Sequence, residues 1–172
     1  MLSFFFCFYF ATNKFKISSN LDKIDLQILK NLQEDGRITN LELSSKVGLS
    51  PAPTLERVKK LEKLNIIKSF HAQLDPAKLG LGIQTFMLVT LVGHKSEAIK
   101  NFVTEINKIP EVVECYHVTG SGDHLLKIMV KDLASYEQLV MEKISTIQGM
   151  GQIQTMMILG NAKQSKVIPI EY

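Results

Sequence analysis

Apolar residues recur at helical spacing through residues 21–64. Leu21, Ile24, Ile28, Leu29 and Leu32 mark one face of a first helix, which Gly36 ends. Ser19 or Asn20 is the expected N-cap, with Asp22 favoured beside the positive helix end. Thr39 followed three residues later by Glu42 is a capping box. It predicts a short second helix from Asn40 to about Val47, with Leu41 and Leu43 to Ser45 turned inward. Gly48 breaks that helix in the left-handed conformation. Ser50 then offers an N-cap hydroxyl, and Pro51 takes the first helical position, where its missing N–H removes no bond. Leu55, Val58, Leu61 and Leu64 recur every third residue and predict the apolar face of a third helix that ends near Asn65. Two helices joined by a short turn containing Gly form the pattern of a helix-turn-helix, with the third helix as the reading helix.

The pattern then changes. Ile66 to Leu74 alternates as a strand does, and Asp75-Pro76, Gly80 and Gly82 punctuate a linker placed at 69–82. Ile83 to Val92 is a near-continuous apolar run, as in a strand buried on both faces. Ser96 to Ile109 has helical spacing through Ile99, Phe102, Val103 and Ile106, and Pro110 stops it. Val112 to Thr119 and Leu125 to Val130 read as paired strands around a turn at Gly120-Ser121-Gly122-Asp123. Ser135 to Ile147 reads as a helix and Ile153 to Leu159 as a last strand. The order strand-helix-strand-strand-helix-strand is the split βαβ pattern of a ferredoxin-like domain. Both helices then pack on one sheet face. Because the first strand is apolar on both sides, the helix-free face needs an apolar cover, most simply a second copy of itself, so a dimer is expected.

Composition narrows this little. The 172 residues are 45% hydrophobic and 22% charged, an ordinary globular balance. A formal net charge of +3 is too mild to argue for a nucleic-acid partner, so that argument rests on where the charges sit. Residues 1–20 include an apolar aromatic run, Leu2 to Ala11, about half the length a membrane span needs, with its lysines after rather than before it. They are expected to stand outside the fold, with no membrane partner, and a cytoplasmic, nucleoid-associated location is expected.

On the third helix, Arg57 is the best candidate for a base contact, since its fork matches guanine's acceptor edge. Ser50, Pro51, Ala52 and Thr54 lie where the helix would enter the groove, with Ala52 and Thr54 small enough for close approach and a thymine methyl. Lys59, Lys60, Lys63 and Lys68 would meet phosphates. The alternative is a solvated basic face with Glu56 and Glu62 pairing locally. In the second half, the glycines of His117-Val118-Thr119-Gly120-Ser121-Gly122-Asp123 let backbone N–H groups turn toward a small anion, and Asp123 suits an ammonium. The same stretch also reads as a plain hairpin turn. No phosphate loop is present, because no Gly-Lys-Ser/Thr follows Gly120-Ser121-Gly122. Cys115 and His117 share a strand face but lack an acidic orienter, so no catalytic residue is assigned. His71, His94, His117 and His124 show no metal-ligand spacing, and no metal or cofactor is expected.

Together these residues resemble the Lrp/AsnC, or feast/famine, family of transcription regulators. The resemblance is carried by Leu21-Asp22-Lys23-Ile24-Asp25, by Val47 to Pro51 followed by Arg57-Val58 and Leu61-Glu62, by Ile66-Ile67 with Phe70-His71-Ala72, by Leu79-Gly80, and by Thr119-Gly120 with Asp123. Asn65 departs from the family's usual Gly, and the extension before Leu21 is atypical. The resemblance implies an α+β chain: a winged helix-turn-helix domain at 21–68, a linker at 69–82, and a RAM-type ferredoxin-like βαββαβ domain at 83–172. It implies double-stranded DNA as partner, a homodimer assembling to an octamer, and an amino-acid effector bound between dimers. By register that effector would meet His117, Thr119, Gly120, Gly122, Asp123, Leu133, Met156 and Met157. An effector-independent architectural DNA-binding protein is the alternative.

Overall fold

The computed structural model describes residues 21–93 and 96–170, so the N-terminal extension and the Ser19 or Asn20 cap lie outside the described residues. The chain divides into two compact units. One comprises the described residues of Met1–Ala72 and Gln164–Tyr172; the other is Gln73–Lys163.

The first unit is three helices. Helix α1 spans Lys23–Glu34, and Asp22 is its N-cap. The Asp22 carboxylate accepts the Asp25 N–H at 2.8 Å and the Asp25 carboxylate accepts the Asp22 N–H at 3.3 Å, a reciprocal capping box. Asp22 therefore plays the part expected of a residue two or three positions earlier. Helix α2 spans Asn40–Val47, with the Thr39–Glu42 box formed and Gly48 left-handed at φ +70°. Helix α3 spans Pro51–Lys63. Ser50 sits at its N-cap position, but the hydroxyl makes no cap bond. Asn65 adopts φ +54°, the conformation that Gly would take most easily. Ile28, Leu43, Val47 and Leu61 form the buried core, with Leu21, Ile24, Leu32, Val58 and Ile66 packed around it.

Three expectations differ here. Leu55 and Leu64 are 42% and 51% exposed, because a row at every third position drifts about 60° per step around a helix of 3.6 residues per turn. Leu41 is likewise exposed. Ile66 to Leu74 forms no strand; alternation without a partner ladder does not suffice, and among the described residues no strand forms a wing. By its contacts the segment from Gln164 groups with the first unit. There the Gln33 side chain accepts the Ile168 N–H at 2.8 Å and donates to the Ile168 carbonyl at 3.3 Å.

The second unit carries a short 3₁₀ turn, Ala77–Leu79, then β1 Ile83–Leu91, α4 Ser96–Ile106, β2 Val112–His117, β3 His124–Val130, α5 Leu133–Leu139 and β4 Met150–Met157. The sheet order is β2-β3-β1-β4 with every pair antiparallel. This is the ferredoxin-like arrangement. Helix α5 starts earlier than expected, capped by Asp132, and passes into a π turn at Val140–Ile144. Met87, Val89, Leu91, Leu126, Ile128 and Val130 face Phe102, Ile106, Tyr136, Leu139 and Ile144 in the core. Intervening residues Phe86, Leu88, Leu125 and Met129 are half-buried on the other sheet face, and Met156 is exposed. Among the described residues, that face carries no helix of its own unit.

Candidate functional site

The turn Gly48–Ser50 delivers α3 against α2, and the Asn40 side-chain amide donates to the Pro51 carbonyl at 2.8 Å, fixing the first turn of α3 to the start of α2. At about 100° per residue, the side of α3 opposite buried Leu61 carries Ala52, Leu55, Glu56, Lys59 and Lys63. All five are exposed, as are Pro51, Lys60 and Lys68. Lys59 is paired with Glu56 at 3.2 Å, so part of the basic surface is locally compensated.

Two expected contacts lie elsewhere. Thr54 is fully buried, and its hydroxyl donates to the Ser50 carbonyl at 3.0 Å. It is a core residue, about two turns before Leu61 on the inner side. Arg57 Nη1 donates to Asp22 at 2.6 Å and to Asp25 at 2.7 Å. The Asp25 side chain is only 2% exposed. These charge-assisted bonds push the Arg57 pKa further up, Asp22 acting most and Asp25 next. The Asp22 pKa is lowered, first by the Asp25 N–H and then by Arg57. Arg57 thus braces α3 against the capped start of α1. The sequence held one signal for this: Asp25 lies among Leu21, Ile24, Ile28 and Leu29 in the apolar row of α1, and a carboxylate in such a row needs a partner.

In the second unit, the 118–123 turn is closed by its own backbone. The Val118 N–H donates to the Asp123 carbonyl at 2.9 Å and the Asp123 N–H to the Val89 carbonyl at 2.8 Å. The Asp123 carboxylate, expected to take an ammonium, accepts the Leu91 N–H at 2.7 Å and extends the end of the β1 ladder. Gly122 is buried, and a Cβ there would lie 2.5 Å from Leu88 Cγ; it is present for close approach rather than for an anion. Thr119 and Gly120 remain exposed. His117 stacks on His124 with ring centroids 5.1 Å apart, and His124 meets Phe102 at 4.7 Å. His124 is 2% exposed, and its Nδ1 has no hydrogen-bond partner. Burial, then the charge of His117, lowers its pKa, with Asp123 opposing. Burial raises the Cys115 pKa, the opposite of an activated thiol.

The expected effector residues do not converge within one chain. Val89 pairs with His124 at one end of the sheet, whereas Thr85 pairs with Met157 toward the other. Four residues of strand separate them, about 13 Å. Leu133, 57% exposed, follows Val130, which pairs with Ile83 at the Met157 end. Leu133, Met156 and Met157 therefore lie toward one end of the sheet, Met156 and Met157 on opposite faces of it, and His117 to Asp123 lie toward the other. Among the described residues, no group of three or more His, Cys, Asp or Glu could hold a metal ion, and no helix is long and apolar enough to cross a membrane.

Comparison with known proteins covers both units. Residues 21–68 match a winged helix-turn-helix DNA-binding model, and residues 84–168 match the Lrp/AsnC ligand binding domain. The chain is 39% identical over 151 residues to the transcriptional regulator AzlB of Bacillus subtilis, covering 88% of this chain and 96% of that protein. It is 38% identical over 159 residues to the leucine-responsive regulatory protein of Escherichia coli K12, covering 92% and 97%. The crystal structure of a Neisseria meningitidis transcriptional regulator in complex with L-Met superposes with a TM-score of 0.83 at 36% identity, over 87% of this chain and 97% of that one.

Proposed function

This chain belongs to the Lrp/AsnC family of transcription regulators, and from that premise we propose that it is a sequence-specific, amino-acid-responsive regulator working as a symmetric assembly. Helix α3 enters the major groove by its N-terminal turn, with Pro51, Ala52 and Leu55 toward base edges and Lys59, Lys60, Lys63 and Lys68 on phosphates. The observation that carries this reading is the outward row of α3, exposed, small or apolar at its start and basic toward its end. The half-buried apolar face of the second unit's sheet supports a homodimer formed sheet to sheet, and further association of dimers to an octamer. In the cell it acts in the cytoplasm, on the nucleoid.

The effector is an amino acid bound between dimers. The separation of the 117–123 turn from Leu133, Met156 and Met157 supports a site completed by more than one subunit. L-leucine and L-methionine are the first probes, from the names of the E. coli relative and the neisserial complex. The amino acid acts only through its different affinity for two assembly states, and so changes the spacing of reading helices along DNA. Calorimetric titration with each amino acid, paired with DNA affinity in its presence, is the test. Binding that shifts DNA affinity several-fold supports the reading. Tight DNA binding indifferent to all twenty contradicts the effector half.

Withdrawal of Arg57 from the outward row favours one second reading. It leaves α3 few hydrogen-bonding side chains for base edges, as an architectural DNA-binding protein would have. That reading expects similar affinity for many fragments and a steep salt dependence.

A further inference from the structure

We propose that Arg57 is a positioning residue, which seats α3 on α1 through Asp22 and Asp25 and leaves base reading to Ala52 and Leu55. The proposal rests on the DNA-reading role given above for α3.

Both bonds leave from one nitrogen, Nη1, at 2.6 and 2.7 Å. Asp25 is the deeper partner, with its side chain 2% exposed beside Ile28 in the core of the first unit. A carboxylate buried there is tolerated only with its charge matched and its lone pairs bonded. Were Arg57 to swing toward a base, Asp25 would be left uncompensated, so one guanidinium does not serve both ends. Asp22 and Asp25 are also the two halves of the α1 capping box. Arg57 therefore ties the start of α1 to the middle of α3, 35 and 32 residues along the chain. At about 100° per residue it points within about 40° of Leu61, toward the core, while Ala52 points directly away. Direct readout then falls to small and apolar groups, which meet the thymine methyl rather than guanine's acceptors.

The test uses the full chain as wild type, Arg57→Met, Asp25→Asn, the double variant and Arg57→Lys. For each, the Tm, the preferred bases selected from random DNA, and the salt slope of DNA affinity are measured. Arg57→Met is expected to lower the Tm and to weaken DNA binding by about tenfold or more, because it strands Asp25. Adding Asp25→Asn removes the stranded charge. The double variant is expected to regain most of the Tm and to bind within about threefold of wild type, with the same preferred bases and salt slope. Leu55→Ala, by contrast, is expected to keep the Tm and relax preference at one base pair.

A double variant that regains its Tm yet stays weak, or loses preference at one base pair, overturns the proposal. A salt slope reduced by about one also overturns it, since that marks a lost phosphate contact. If the double variant does not fold, Arg57→Lys decides, because it keeps a positive charge near both carboxylates while removing the guanidinium fork that would read guanine. A folded Arg57→Lys with wild-type preference supports the brace, and one with relaxed preference contradicts it. Failure of every Arg57 variant to fold puts Arg57 in the fold, as proposed. If wild type itself selects no DNA, the DNA-reading premise fails, while the Tm cycle still decides whether Arg57 braces α1.

Discussion

Among the described residues, the core of the first unit holds four buried apolar side chains and that of the second holds thirteen. The second unit is set by packing between a sheet and two helices. The first is set by directional polar contacts around a small core: two capping boxes, the Asn40 amide on Pro51, and Arg57 on Asp22 and Asp25. The difference fits their tasks. A small core holds helices loosely in angle, because apolar contact has no direction. Hydrogen bonds and ion pairs with fixed geometry define how a reading helix projects. The sheet has to present a broad face, and packing does that well.

Each unit is expected to fail by its own means. The largest loss is expected from Phe102→Ala, about 3–5 kcal/mol, since it empties the centre of the larger core and removes the ring beneath His124. Urea titration followed by amide exchange should locate the loss in the second unit alone. Arg57→Met follows at about 3 kcal/mol, confined to the first unit, although it removes no core methyl group. An equal loss in both units would mean that they do not unfold separately. Thr39→Ala is smaller, about 1 kcal/mol, with fraying at the start of α2 as its exchange signature.

The smallest effect separates the units by pH. The His124 pKa lies below its ordinary 6.5, chiefly through burial, so the folded chain favours the neutral ring. Its contribution is fully present above about pH 6.5 and is lost as pH falls below that value, where the unfolded chain takes up the proton first. The pKa values of Asp22 and Glu42 lie below their ordinary 3.8 and 4.5. Their contribution is present above those values and is lost only as pH falls through the lower folded ones. Acid should therefore loosen the second unit before the first. Unit-resolved stability from pH 7.5 to 4.5 checks this, and His124→Leu should flatten the upper part of the profile. No change in the second unit across that range would show that His124 does not set its acid sensitivity.

Features written by local rules were legible in the sequence. The Thr39–Glu42 box, left-handed Gly48, the positive φ of Asn65 and the strand-helix order of the second unit follow from residues a few positions apart. What escaped depends on distance along the chain or on exact phase. Arg57 reads as a groove contact until Asp22 and Asp25 are brought to it. Thr54 and Leu55 exchange their expected sides because a three-residue repeat drifts against 3.6 residues per turn. The return of the tail to Gln33 has no local signal at all. Of the candidate sites, the reading helix was legible as an element and in its exposed Pro51, Ala52 and lysines, but not in Thr54 or Arg57. The candidate effector residues rested on register alone, and the sheet spreads them between its two ends.

We propose that α3 reads a defined sequence and that the second unit adjusts how paired copies of α3 meet DNA. Selection of preferred sites from random DNA, run with and without pooled amino acids, tests both halves together. One pseudo-palindromic site is expected, its half-sites about one helical turn or a multiple apart, with enrichment or spacing changed by the amino acids. Recovery of fragments without a shared sequence, unchanged by any amino acid, would contradict it.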